Sequence, residues 1–125
     1  MELQDYFRKN KGIGVLATSG DEGEVDAAIY ARPHFLDDGT IAFIMADRLS
    51  HWNTTANPHA TYAFIEHGVG YKGKRLYLTV TEEETDLEKI QAIRSRPLPE
   101  ECPGETESRY LVHFRIDRVR PLVGD

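Results

Sequence analysis

Arg48, Ser50 and His51 sit within four positions of one another, just ahead of the chain's single tryptophan, Trp52, in the stretch ADRLSHWNTTANPHATYAF (46–64). Apolar residues at Leu49, Trp52 and Ala56 fall on one face of a short helix, which Asn57-Pro58 ends because the residue before a proline disfavours helix. A helix N-terminus exposes free backbone N–H groups and a positive partial charge, which together bind anions. Ser50 adds a hydroxyl donor, His51 a ring N–H, and Arg48 a fork that matches two phosphate oxygens. Arg32, at the end of the preceding strand, could be brought alongside. The chemistry indicated is phosphate binding. A plainer reading stays open: Asp47 or Ser50 caps the helix, and Arg48 and His51 are solvated.

Other patterns carry less. Gly68-Val69-Gly70-Tyr71-Lys72-Gly73 spells GxGxxG after a strand, but the following RLYLTVT reads as a strand. A dinucleotide fingerprint needs a helix there to receive the pyrophosphate, so the segment is a loop. The five histidines, His34, His51, His59, His67 and His113, include no pair at metal-binding spacing, and no metal is expected. There is no GxSxG elbow, and adjacent Ser50 and His51 do not make a nucleophile and its base. His113 is expected to face solvent or a partner.

The chain has 125 residues and a formal net charge of −6, with 40% apolar and 29% charged residues. That is one domain, 1–125. The acidic balance argues against nucleic acid, which needs a basic face. A lone cysteine, Cys102, permits no intrachain disulfide. No apolar run approaches the length of a membrane span and MELQDYFRKN lacks a signal-peptide core, so a cytoplasmic protein without membrane contact is expected.

The elements that must position the cluster are mostly strands. Leu3, Tyr6 and Phe7 mark a short first helix. Strands follow at GVLATSG, at 24–35 with Pro33 as a bulge, edge or end, at TIAFIMA (apolar on both faces), at HATYAFIEH, at RLYLTVT, and at RYLVHFRIDRVRPL. Asp38-Gly39 marks a hairpin turn. TDLEKIQAIRSR is the clearest helix, with Thr85 and Glu88 at capping-box spacing and an apolar stripe of Leu87, Ile90 and Ile93. PLPEECPGETES reads as a surface loop. About six alternating strands at short spacing predict a mainly β protein, an antiparallel barrel with short helices. A barrel that small fills its interior with side chains, so a ligand would sit outside, in a groove or between subunits.

Ser50 to Pro58, with Asn53 and Asn57-Pro58, resembles the K-x-x-N-x-x-x-N-P signature of the pyridoxamine 5′-phosphate oxidase-like flavoproteins. The order GVLATSG, ARPHF, DDGTIAFIMA, short helix, NPHATYAF, and the ending RPLVG, resemble that family across most of the chain. The resemblance implies a six-stranded split barrel and a homodimer with FMN between the subunits. It implies a phosphate site at Arg48, Ser50, His51 and Arg32, and a ring lying along backbone at Ile44, Met45 and Ala46. It also implies contributions across the dimer from Lys74 and Arg75. The family lysine falls on Ser50, its early strand arginine near Ala28, and no C-terminal extension of the oxidases is present. The expectation is therefore an FMN-binding oxidoreductase whose substrate and electron donor the sequence does not name, rather than a vitamin B6 enzyme. The alternatives are a ligand-binding or interaction module without a redox cofactor, or a barrel holding deazaflavin or haem, the last ligated by His51, His34 or His67.

Overall fold

The chain lays down α1 (Glu2–Lys9), β1 (Gly12–Ser19), β2 (Val25–Ile29), β3 (His34–Phe35), β4 (Ile41–Met45), α2 (Leu49–Ala56), β5 (His59–Glu66), β6 (Gly73–Glu84), α3 (Leu87–Arg94) and β7 (Tyr110–Pro121). The computed structural model describes residues 2–46, 48–94 and 110–124, and the side chains of Leu87 and Arg94 are outside that description. Asp47, Cys102 and the expected loop 97–108 therefore lie outside the described residues.

The strands form one sheet in the order β2-β1-β5-β6-β7-β4-β3, antiparallel throughout. Its two edges, β2 and β3, are consecutive in the chain. Residues 30–33 carry the backbone from one edge to the other, so the sheet curls into a half-barrel. The Tyr62 hydroxyl grips this crossing through the carbonyls of Tyr30 and Ala31, 3.1 Å from each. The strand expected over 24–35 is broken here. Pro33 donates no ladder hydrogen bond, so β2 stops at Ile29 and a two-residue β3 resumes at His34, giving seven strands rather than six.

Alternation fills the interior. Leu76 and Leu78 of β6 point inward with Leu16, Phe43, Met45, Tyr62, Phe64, Val112 and Phe114. α1 plugs one end with Phe7, whose ring meets Phe64 edge-on at 5.0 Å. Each such buried apolar side chain contributes about 1.5–3 kcal/mol. Gly39, at φ +88°, makes the expected hairpin turn, and Asp38 Oδ1 accepts from Thr40 N and Oγ1.

β4 is buried on both faces, as the apolar run TIAFIMA indicates, and so is Leu111–Phe114 of β7 beside it. α3 covers their outer side, packing Ile90 and Ile93 on Ala42 and Leu111. His113 is therefore buried beneath α3 rather than facing solvent. A register shift in β6 between Val80 and Glu82 sets Glu82 opposite His113, with Glu84 two residues on along the same face. α3 is capped by Asp86, whose Oδ1 accepts from the backbone N–H of Glu88 at 3.0 Å and of Lys89 at 3.4 Å. Asp86 takes the place expected of Thr85 because it immediately precedes the first helical residue. No helix among the described residues is long and apolar enough to cross a membrane.

Candidate functional site

β4 is paired with β7 along Ile41–Met45 but with β3 only at Ile41 and Ala42. Because Pro33 makes β3 so short, the backbone groups of β4 that point to that edge beyond Ala42 have no strand partner among the described residues. Side chains do not fill the gap. Met45 lies in the barrel core and Ile44 packs beneath α3, so this stretch presents backbone. Ala46 follows, and its carbonyl accepts the N–H of Arg48 at 2.8 Å.

α2 starts there. Its N-cap, Arg48, is extended (φ −137°, ψ −170°) and makes no side-chain cap, and no acidic residue occupies the first turn. Among the described residues, no side chain is recorded as an acceptor for the first-turn N–H groups. The Arg48 side chain is exposed and, among the described residues, neither it nor the Ser50 hydroxyl is engaged in a hydrogen bond or ion pair. Of the two alternative caps, Ser50 lies inside the first turn and does not cap the helix, and Asp47 lies outside the described residues.

The helix is turned with its polar side inward. Ser50, His51, Asn53 and Thr54 are buried, while Leu49 and Trp52 are 47% and 56% exposed. Two polar anchors account for this orientation. Asn53 Nδ2 donates to the buried Thr18 Oγ1 of β1 at 3.0 Å. His51 pairs through Nε2 with Glu83 of β6 and stacks on Tyr110 of β7, with ring centroids 3.8 Å apart and planes 14° off parallel. His51 and Asn53 therefore fix the helix, and the Glu83 carboxylate takes His51 Nε2, one of the two ring nitrogens that could have met a phosphate.

The remaining sequence candidates do not all converge. Lys74 and Arg75 are strand neighbours and face opposite ways. Lys74 Nζ lies on the inner side, 4.7 Å from the centroid of the Tyr6 ring. Arg75 is outward, donating from Nε to Pro121 O at 2.9 Å and from Nη2 to Gly124 O. Arg32 is at the far end of the barrel, where Nη1 donates to Phe7 O (2.8 Å) and Asn10 O (3.1 Å) of the α1 terminus. α1 adjoins the Gly12 end of β1 and α2 its Thr18 end, roughly 20 Å apart at the usual rise of a strand. Within one chain the structure thus brings Arg48, Ser50 and the Ile44–Ala46 backbone together and leaves Arg32 apart from them; Lys74 and Arg75 are expected from across a dimer rather than from the same chain.

Beside this cluster the outer sheet face is apolar. Val25, Ala27 and Ile29 of β2 stand opposite Ser19, Ala17 and Val15 of β1, and Ile13 stands opposite Ile65 of β5. Val25 is 83% and Ile29 60% exposed. The face continues into a basic stripe, where Arg75 pairs in register with Arg120, and Tyr77 with Arg118. A hydrogen bond from Arg120, with the charges of Arg75 and Arg118, holds the Tyr77 hydroxyl below its ordinary pKa. Arg118 and Arg120 were missed as site candidates, although their i, i+2 spacing on one strand is the legible signal.

His113, Glu82 and Glu84 bring one donor atom each within 4.8 Å of one another, a grouping the histidine spacing did not foretell. Protein groups already use these donors. His113 Nε2 bonds Glu84, and Lys89 of α3 reaches the other oxygen of Glu84 at 2.9 Å. Those bonds, led by Lys89, hold the Glu84 carboxyl below the usual range. The network fastens α3 to the sheet.

No protein-family model matches the chain, and no curated protein matches it in sequence. Solved structures do. An FMN-binding protein from Syntrophomonas wolfei superposes with a TM-score of 0.75 at 18% identity, covering 95% of this chain and 82% of its own. A putative pyridoxamine 5′-phosphate oxidase from Lactobacillus delbrueckii gives 0.68 at 16% identity, covering 96% and 92%. An F420 reductase gives 0.61 at 20% identity, covering 93% and 94%. The likeness is one of fold, an antiparallel split barrel, and it agrees with the resemblance read from the Ser50 to Pro58 motif.

Proposed function

We propose that the protein is a homodimeric flavoprotein of oxidoreductase type that holds FMN in a groove between two copies of this chain. The observation that carries the reading is the N-terminus of α2, where among the described residues no side chain caps the helix and the Arg48 and Ser50 side chains are unengaged, lying directly after the open edge of β4. The free N–H groups, the Ser50 hydroxyl and the Arg48 fork suit a phosphate, with Arg48 supplying the charge that the family lysine supplies elsewhere. The backbone of Ile44, Met45 and Ala46 suits the polar edge of a planar ring. Val25, Ala27 and Ile29 form the apolar face that a second copy would cover, and its Arg75, Arg118 and Arg120 would bring positive charge to the groove.

Bound FMN supplies the electron or hydride transfer. The chain's own residues bind and orient it. His51 and Asn53 act by positioning: their bonds to Glu83 and Thr18 hold the α2 terminus where Arg48 and Ser50 face the groove. Leu49 and Trp52, turned outward, exclude water from it once the second copy is seated. The fold neighbour that is an F420 reductase favours one alternative, a deazaflavin in the same groove.

The test is titration of the protein and its Arg48→Ala and Ser50→Ala variants with FMN and with F420, followed by fluorescence. Loss of a charge-assisted contact lowers affinity about 10-fold or more, corresponding to about 1.5–3 kcal/mol. Tighter binding of FMN than F420, weakened that much by Arg48→Ala, supports the proposal. Unchanged FMN affinity in both variants would place the phosphate elsewhere and overturn it.

A further inference from the structure

Arg32 presents a problem that the flavin groove does not solve. Its side chain is only 4% exposed, and its charge is permanent. Nη1 is spent on the carbonyls of Phe7 and Asn10, at the negative end of the α1 dipole. Nε and Nη2, also buried, have no hydrogen-bond partner among the described residues. No carboxylate pairs with Arg32 among the described residues. The helix terminus offers about half a charge against a whole one, so positive charge remains.

The two unpartnered atoms are not an arbitrary pair. Nε–H and one Nη2–H run parallel within the guanidinium plane, along the edge that takes two oxygens of a carboxylate side-on. The surroundings favour an anion too. Arg8 and Lys9 close α1, and Lys11 and Lys72 lie beside it through the bonds His67 N to Lys11 O (2.9 Å) and Glu66 N to Lys72 O (2.8 Å). The acids at this pole are engaged: Asp5 lies 3.8 Å from Arg8, and Glu66 accepts the Tyr6 hydroxyl at 2.5 Å. The pole is basic although the chain as a whole carries −6.

We propose that Arg32 and the C-terminal end of α1 form a second ligand site, distinct from the flavin groove, that binds a small carboxylate anion in the two-pronged grip of Nε and Nη2. Both atoms are closed off in this structure, so the anion is a small one such as formate and needs α1 to shift to make room for it. The anion enters and leaves when α1, the N-terminal helix, opens locally, the kind of terminal motion that requires least of the remaining fold. Bound, it completes the charge balance of Arg32 and locks α1 onto the barrel end.

The test replaces sodium chloride with sodium formate at constant ionic strength and neutral pH. The thermal midpoint and the ¹⁵Nε–¹H signals of arginine are followed together. The proposal expects a saturable rise of the midpoint in formate and a saturable downfield shift of one arginine Nε–H signal. Arg32→Lys keeps the charge and a donor for the α1 carbonyls but lacks the two-pronged edge, so it should fold, lose that signal and lose the formate effect. Equal midpoints in formate and chloride would overturn the proposal, as would a formate effect that persists in Arg32→Lys. If the variant does not fold, the wild-type titration still decides: no arginine Nε–H signal moving with formate overturns it. FMN affinity in Arg32→Lys should stay within twofold of wild type, which separates this site from the groove.

Discussion

Gly14→Ala tests how tightly the barrel is closed around its crossing segment. An alanine Cβ at this position would stand 1.8 Å from Tyr62 Oη and 2.3 Å from its Cζ. The ring must move, and Tyr62 is fully buried among Leu16, Phe43 and Phe64. Overpacking of this kind costs about 1–3 kcal/mol. Moving the ring also withdraws its hydroxyl from the Tyr30 and Ala31 carbonyls, a further loss of about 1 kcal/mol. The expected sum is about 2–4 kcal/mol. For a domain of this length that lowers the thermal midpoint by roughly 8–16 °C. Circular-dichroism melts and urea titration measure it. Tyr62→Leu removes the obstructing ring, so Gly14→Ala should lose most of its effect in that background, a coupling that a double-mutant cycle reports. A Gly14→Ala protein within about 0.5 kcal/mol of wild type, or an equal effect in both backgrounds, would refute the claim that Tyr62 fills the space over Gly14 and holds the two sheet edges together.

Ile29→Glu puts a charge into the exposed apolar face of β2. It should shift sedimentation from dimer to monomer and weaken FMN binding at least 10-fold while leaving the far-ultraviolet dichroism unchanged; a dimer that survives it would move the interface elsewhere. The Glu84 network makes stability depend on acid. Its folded carboxyl lies below the usual value, so its contribution is complete above about pH 4.3 and is lost as pH falls through the lower folded value. Melts from pH 6 to pH 3 should show a decline that is shallower in Glu84→Gln, and an identical slope in the two proteins would contradict the role given to Lys89 and His113.

Features set by local spacing were legible in the sequence. The alternation of Arg75–Val80 placed Leu76 and Leu78 inside, the apolar run at 41–45 was buried on both faces, and Asp38-Gly39 turned a hairpin. Features set by tertiary contacts were not. Pro33 was recognised as a break, but whether it bends or ends a strand depends on the sheet edge beside it. The burial of His113 depends on α3 folding back over β7, and the pairing of Glu84 with it on a register shift in β6. At the candidate site, the short spacing of Arg48, Ser50 and His51 did put them on one helix terminus. The helix's facing was hidden, because Leu49, Trp52 and Ala56 read as a core stripe while Asn53 and His51 find buried partners in Thr18 and Glu83. Arg32 looked close to the cluster in sequence, yet the β1 strand separates them by most of its length.

The proposed flavin site lies between two copies of the chain, at the N-terminus of α2 and the open edge of β4. Titrating FMN with the purified protein, while following flavin fluorescence and sedimentation of the same samples, tests it most directly. Saturable quenching at one FMN per chain is expected, with the flavin absorbance sedimenting as a dimer. Flavin fluorescence that stays unquenched, with the flavin remaining behind the protein boundary, would contradict it.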